Sequence, residues 1–193
     1  MKEIIKLGLI LFIITACASA VLGFTYEITK GPIEEQVQLA KKEAMNQTLP
    51  QADTFQSIDV DLPEDSTILE VNAGYKGDNL EGFAVKVSPK GFGGAVEMMV
   101  GISKDGVIQG VRILSHAETP GLGANAENPS FSSQYEGKSG QLVVTKTAPT
   151  EDNEIQAITG ATITSQAVTD GVNEVIELLN HLLDADEVTF DFN

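Results

Sequence analysis

The stretch Ala95 to Ser115, AVEMMVGISKDGVIQGVRILS, decides the fold. Its two halves, residues 95–103 and 107–115, are rich in Val, Ile and Met and are joined by Lys104-Asp105-Gly106. Branched apolar runs on either side of a short Asp-Gly turn read as two antiparallel strands of a hairpin. Upstream, Phe83 to Val87 reads as a strand, reached through the turn Lys76-Gly77-Asp78-Asn79. Before that turn, Ile68, Glu70 and Asn72 alternate with Leu69, Val71 and Ala73, as a further strand would. Downstream lie a polar loop over 116–140, a strand over Leu142 to Thr145 and a short strand over Ile155 to Ile158. A helix over about 164–184 closes the pattern, with Val168, Val172, Val175, Ile176, Leu179, Leu182 and Leu183 on one face. The expected class is α+β: a mainly antiparallel sheet with packed helices.

The N-terminal part has a different character. Leu7 to Phe24 contains no charged residue, and the apolar run continues to Ile28 with Glu27 as its one charge. A helix that crosses the hydrocarbon core needs roughly 20 apolar residues, so residues 7–28 are expected to form a single transmembrane helix. Lys2 and Lys6 flank its leading side, which places residues 1–6 in the cytoplasm and the rest of the chain outside. The competing reading is a cleaved leader, since Ile14-Thr15-Ala16-Cys17 resembles a lipoprotein cleavage box. The apolar run beyond Cys17 favours the uncleaved span, and both readings put the following domain on the same side. Pro32 suits a helix's first turn, and Ile33, Val37, Ala40 and Ala44 recur at helical spacing after it. Residues 29–50 are therefore expected as a stalk helix, and 51–193 as an extracytoplasmic domain.

Composition excludes several classes of function. The 193 residues carry a formal charge of −16, which repels nucleic-acid phosphates. The single cysteine, Cys17, lies in the apolar run, so no disulfide and no iron–sulfur ligand set is available. No metal site is expected: two histidines are few for haem or zinc, and the acidic tail Asp184-Ala185-Asp186-Glu187 lacks calcium-loop spacing. A redox role would require an organic cofactor.

Two segments carry candidate chemistry. The first is Thr159-Gly160-Ala161-Thr162-Ile163-Thr164-Ser165 at the entry to the last helix. A helix start offers free amides and the positive end of the dipole to a phosphate, Gly160 and Ala161 allow close approach, and the hydroxyls add donors. The plainer reading is an ordinary N-cap. The second segment is His116-Ala117-Glu118-Thr119-Pro120-Gly121-Leu122-Gly123, directly after a strand. Its glycines and proline describe a backbone held in a special shape at a sheet's end, a common place for ligand contact. A structural turn with a satisfied His116 and a solvated Glu118 is the alternative.

KGFGG (90–94), HAETPGLG (116–123), YEGK (135–138) and TGATIT (159–164) stand in the order and approximate spacing of the FMN-binding domain family. The chain resembles in particular the G subunit of Rnf ion-translocating oxidoreductases, and the related C subunit of sodium-pumping NADH:quinone reductases. The resemblance implies a membrane-anchored electron-transfer subunit with FMN linked covalently as a phosphoester to Thr164. It further implies Glu118, Thr119, Gly121, Leu122 and Gly123 as flavin neighbours, with His116 and Lys138 nearby and Thr159, Gly160, Ala161, Thr162 and Ser165 around the phosphate. No catalytic residue of the chain's own is expected. Two departures stand out: Thr159 replaces the commoner Ser, and Gln156 stands where the family often has Asp.

A threonine hydroxyl is a weak nucleophile without a base, and no histidine adjoins Thr164 in sequence. Attachment is therefore expected to need a separate FAD-dependent flavin transferase that releases AMP. The other implied partners are the remaining membrane subunits of a redox-driven ion pump exchanging electrons between ferredoxin and NAD. Two other classes stay open: a tethered ligand-binding module without redox partners, and a hydrolase built on His116 and Glu118. The second lacks a GxSxG nucleophile turn.

Overall fold

The computed structural model describes residues 2–184, with side chains as far as residue 182. The acidic tail from Ala185 onward and the side chains of Leu183 and Asp184 lie outside the described residues. The chain divides into two compact units, Met1–Ala40 and Lys41–Asn193.

The first unit belongs to helix α1, Lys2–Thr48. The helix contains an 18-residue window of mean hydropathy 2.5, none of it buried against the rest of the protein. At 1.5 Å per residue such a window covers about 27 Å, close to a bilayer's hydrocarbon thickness. Its apolar side chains are exposed all round, from Ile4 to Phe24 at 71%. The hydroxyls within it are satisfied internally: Thr15 donates to the Leu11 carbonyl at 3.0 Å and Thr25 to that of Val21 at 2.9 Å. A segment that meets its own polar demands in this way tolerates an apolar solvent. Pro32 sits inside α1, where its sequence suggested the start of a second helix. Proline removes only the hydrogen bond to the Ile28 carbonyl, and the residues around it are exposed, so the helix continues past the lost bond.

The second unit begins with the last turns of α1 and is built on a five-stranded antiparallel meander. Its strands are β1 (Thr54–Ile58), β2 (Ile68–Lys76), β3 (Asn79–Val87), β4 (Val96–Ser103) and β5 (Ile108–His116), in that spatial order. The β4–β5 hairpin turns where its sequence indicates, with Gly106 at φ +79°. Register sets the two faces. Val71, Val85, Val100 and Val111 align across four strands, and so do Ala73, Phe83, Ile102 and Ile108. Both rows are buried in the main core.

The opposite face carries a row of small residues: Ala84 pairs with Gly101, and Gly101 with Gly110. A Cβ on Gly101 would lie 1.9 Å from the Thr48 carbonyl oxygen, so the end of α1 rests directly on this row. Ala44, Met45, Ala84 and Met99 form a smaller cluster there. Strand β1 was not anticipated from sequence; its side chains are mostly exposed and show no apolar alternation.

The segment expected as a loop over 116–140 is a chain of short helical turns. A 3₁₀ turn at Gly123–Glu127, helix α2 at Pro129–Ser132 and a 3₁₀ turn at Ser133–Tyr135 bury Ala126, Phe131 and Tyr135. Single turns carry too few residues to show a period, so the pattern was invisible. Strands β6 (Val143–Thr145) and β7 (Glu154–Gln156) form a parallel pair. Helix α3, Thr162–Asp184, then packs on the main core through Val168, Val172, Val175, Ile176 and Leu179. Burying each such side chain contributes about 1.5–3 kcal/mol, which holds the helix to the sheet more firmly than propensity does. Asn173 ties α3 to the residue that leads into β6: its side-chain carbonyl accepts the Leu142 N–H at 2.8 Å and its amide donates to the Leu142 carbonyl at 2.9 Å.

Candidate functional site

Three glycine-bearing segments meet at the end of the sheet. The 89–95 turn enters β4 and is closed by Gly91 N–H donating to the Gly94 carbonyl at 2.7 Å. The 116–123 segment leaves β5, beside β4 in the sheet. The 159–165 segment opens α3. Between them lies a pocket of about 350 Å³ lined by Glu118, Thr119, Leu122, Gly123, the residues 160–164 and Phe92.

Glu118 is the centre of this arrangement. Its side chain is nearly buried, with 6% of the residue exposed. Oε1 accepts the Gly93 N–H at 2.9 Å, and Oε2 accepts the Thr164 hydroxyl at 2.7 Å. Two of the glycines are required by this carboxylate, and a third by the backbone carbonyl beside it. A Cβ on Gly91 would stand 2.4 Å from Oε1, and one on Gly123 would stand 2.2 Å from Oε2. One on Gly93 would meet the Ala117 carbonyl oxygen at 2.2 Å. These contacts are closer than real carbon atoms tolerate, so the glycines make room for one acid and one alcohol.

Thr164 is fully buried in the first turn of α3. The amides of that turn lack intrahelical acceptors, which gives the helix start its partial positive charge. Ser165 supports the turn from behind: its hydroxyl accepts the Ile158 N–H at 2.9 Å and donates to the Ala161 carbonyl at 3.0 Å. Ser165 is thus a structural neighbour and does not line the pocket. Gly160 takes φ +77° and leaves room for Leu122, whose Cδ2 lies 3.1 Å from where a Cβ on residue 160 would sit. Thr159 is exposed just before the turn, and Gly121, at φ +77°, shapes the opposing loop.

The structure separates the remaining nominees from the pocket. His116 Nδ1 accepts the Glu118 N–H at 3.1 Å, and its Nε2 faces Glu127 at 3.1 Å. The imidazole therefore braces the loop backbone while the Glu118 carboxylate points to Thr164, so the two side chains do not form a dyad. Lys138 donates its ammonium to the Asp152 carbonyl, and its own carbonyl accepts the Ile108 N–H at 2.9 Å. Gln156 is exposed, and its backbone N–H is taken by Gln134 at 2.8 Å. Two pocket residues were not nominated from sequence: Phe92, 70% exposed, and Ile163, 57% exposed. The available signal was a large apolar side chain inside a glycine turn, and another at the exposed side of a helix start.

Sequence and structure comparisons fit this geometry. Residues 91–177 match the FMN-binding domain family, and residues 1–48 match the RnfG N-terminal region. The G subunit of the Na(+)-translocating ferredoxin:NAD(+) oxidoreductase complex of Acetobacterium woodii is 41% identical over 195 residues, covering 94% of each chain. The G subunit of the ion-translocating oxidoreductase complex of Methanosarcina acetivorans is 33% identical over 184 residues, covering 93% of this chain and 96% of that one. Among solved structures, the C subunit of the Na(+)-translocating NADH-quinone reductase from Parabacteroides distasonis superposes with a TM-score of 0.55. It covers 75% of this chain and 94% of that one at 15% identity, a likeness of fold alone. With two relatives matched over nearly their whole length and an FMN-binding domain that contains the pocket, the chain belongs to the G-subunit family of ion-translocating oxidoreductase complexes.

Proposed function

We propose that this chain is a membrane-anchored electron-transfer subunit that carries FMN as a phosphoester on Thr164. The observation that carries this reading is the position of the Thr164 hydroxyl, in the first turn of α3 and on the wall of the pocket. The residues present fit the group. A pocket of about 350 Å³ lies within the range of small-molecule sites. Its apolar rim of Phe92, Leu122 and Ile163 suits a flat ring system, while the helix start suits a phosphodiester's single negative charge.

When bound, FMN supplies reversible uptake of one or two electrons. The chain's own residues hold the phosphate end at the opening of α3 and exclude water on the apolar side. Linkage through phosphorus leaves the ring chemically unaltered, so its potential depends on burial, hydrogen bonds and charge nearby. The formal charge of −16 disfavours an anionic reduced ring and lowers the potential, although surface charge is largely screened by salt.

The named complex of the Acetobacterium woodii relative supports a further step: electrons pass between ferredoxin and NAD through this subunit while the complex moves ions. The partners are then the other membrane subunits and an FAD-dependent flavin transferase for maturation. Residues 7–28 of the first unit are the single-pass anchor, and residues 29–50 are the stalk that follows it. Lys2 and Lys6 favour a cytoplasmic start and an extracytoplasmic domain over 51–193.

The test is in-gel fluorescence of the denatured chain produced with the transferase. A flavin band that survives denaturation and vanishes in Thr164→Val supports the reading. Fluorescence undiminished in that variant overturns it.

A further inference from the structure

The contact between Glu118 and Thr164 carries an inference that rests on the covalent attachment above. We propose that Glu118 is the base that receives the Thr164 proton when the flavin is attached. An alcohol needs such a partner to act as a nucleophile. Glu118 Oε2 lies 2.7 Å from the Thr164 oxygen, inside the reach of a general base. Its other oxygen is anchored by the Gly93 N–H, so the carboxylate is aimed. The 89–95 and 159–165 segments, far apart in sequence, both reach this one group, through the Gly93 N–H and the Thr164 hydroxyl.

The step balances with a flavin dinucleotide as donor. Thr164 Oγ forms a bond to the phosphorus that carries the riboflavin. The bond from that phosphorus to the bridging oxygen breaks, and its electron pair leaves with AMP. The hydroxyl proton passes to Glu118 Oε2, and nothing is oxidised or reduced. The resulting carboxylic acid is a hydrogen-bond donor to the new diester, where a carboxylate would have repelled it. A single residue thus accepts the proton and removes the like charge from the product.

The experiment uses the full-length chain in detergent with a flavin transferase and FAD, following covalent flavin by intact mass. Glu118→Gln keeps the shape of the side chain and an oxygen for the Gly93 N–H but is no base. Its expected kcat for flavin attachment falls about 10²- to 10⁴-fold, with KM for the chain and thermal unfolding unchanged. Glu118→Asp, which retains a carboxylate, recovers part of that loss. A Glu118→Gln kcat within about threefold of the unaltered chain overturns the proposal, as does a defect confined to KM. If Glu118→Gln does not fold, Glu118→Asp decides: kcat at least about tenfold below the unaltered chain at equal KM supports the proposal, and an unchanged kcat overturns it. Failure of the attachment reading itself looks different. The unaltered chain then gains no mass, or Thr164→Val gains as much.

Discussion

Tyr135 donates its buried hydroxyl to Thr169 Oγ1 at 2.8 Å, and the Thr169 hydroxyl in turn donates to the Ser165 carbonyl at 2.9 Å. The tyrosine of the YEGK segment is thereby linked to the turn of α3 that carries Thr164 and Ser165. Tyr135 and Thr169 are both fully buried, and burial holds the phenol well above its ordinary pKa.

The relay gives an asymmetric prediction for stability. Tyr135→Phe removes the donor and leaves Thr169 still bonded to Ser165, at a cost of about 1 kcal/mol. Thr169→Val strands the Tyr135 hydroxyl in the core, at a cost of about 1–3 kcal/mol. Urea unfolding of the two variants checks the order. Equal losses, or a larger loss in Tyr135→Phe, contradict it.

Glu154 yields a prediction about pH. Its carboxylate accepts the Thr150 N–H at 2.6 Å, the Thr150 hydroxyl at 3.2 Å and the Glu151 N–H at 3.3 Å. The Thr150 N–H is the largest cause of its lowered pKa, and the residue is half-buried at the start of β7. A folded-state pKa below the unfolded value stabilises this turn in full above the ordinary glutamate range. That contribution is lost as pH falls through the lowered value. A chemical-shift titration is expected to place Glu154 below the ordinary glutamate value, with faster amide exchange at Thr150 and Glu151 after it protonates. A midpoint at or above that value contradicts the account.

The side of the membrane occupied by the second unit is open to fusion reporters. With residues 1–6 in the cytoplasm, alkaline phosphatase fused after Asn193 is expected to be active and a green fluorescent protein fusion dark. The reverse pattern contradicts the proposed orientation.

Much of the fold was legible because its strands follow simple rules. The β4–β5 hairpin is written in two branched runs and an Asp-Gly turn, and the apolar stripe of α3 is regular enough to assign its buried face. Edge strand β1 was not legible, since TFQSI buries too little to require alternation. Pro32 misled for a related reason: its local preference for a helix start is outweighed where an exposed helix can spare one hydrogen bond.

The site was legible as a set of segments and illegible as a geometry. Thr164 and Glu118 each stand out in sequence, but the bond between them joins residues 46 positions apart. Local sequence suggests His116 as Glu118's partner, because a regular strand would put residues i and i+2 on one face. The chain leaves β5 at His116, the imidazole turns to Glu127, and the carboxylate turns to the helix. No histidine adjoins Thr164 in sequence, yet a glutamate supplies the contact through space.

The phosphoester between FMN and the Thr164 oxygen is tested most directly by the fragment mass spectrum of the peptide holding Thr164, taken from the native membrane complex. The account predicts a peptide heavier by FMN less one water, with the added mass localised to Thr164. An unmodified peptide from cells shown to flavinylate other targets, or an addition localised to another residue, contradicts it.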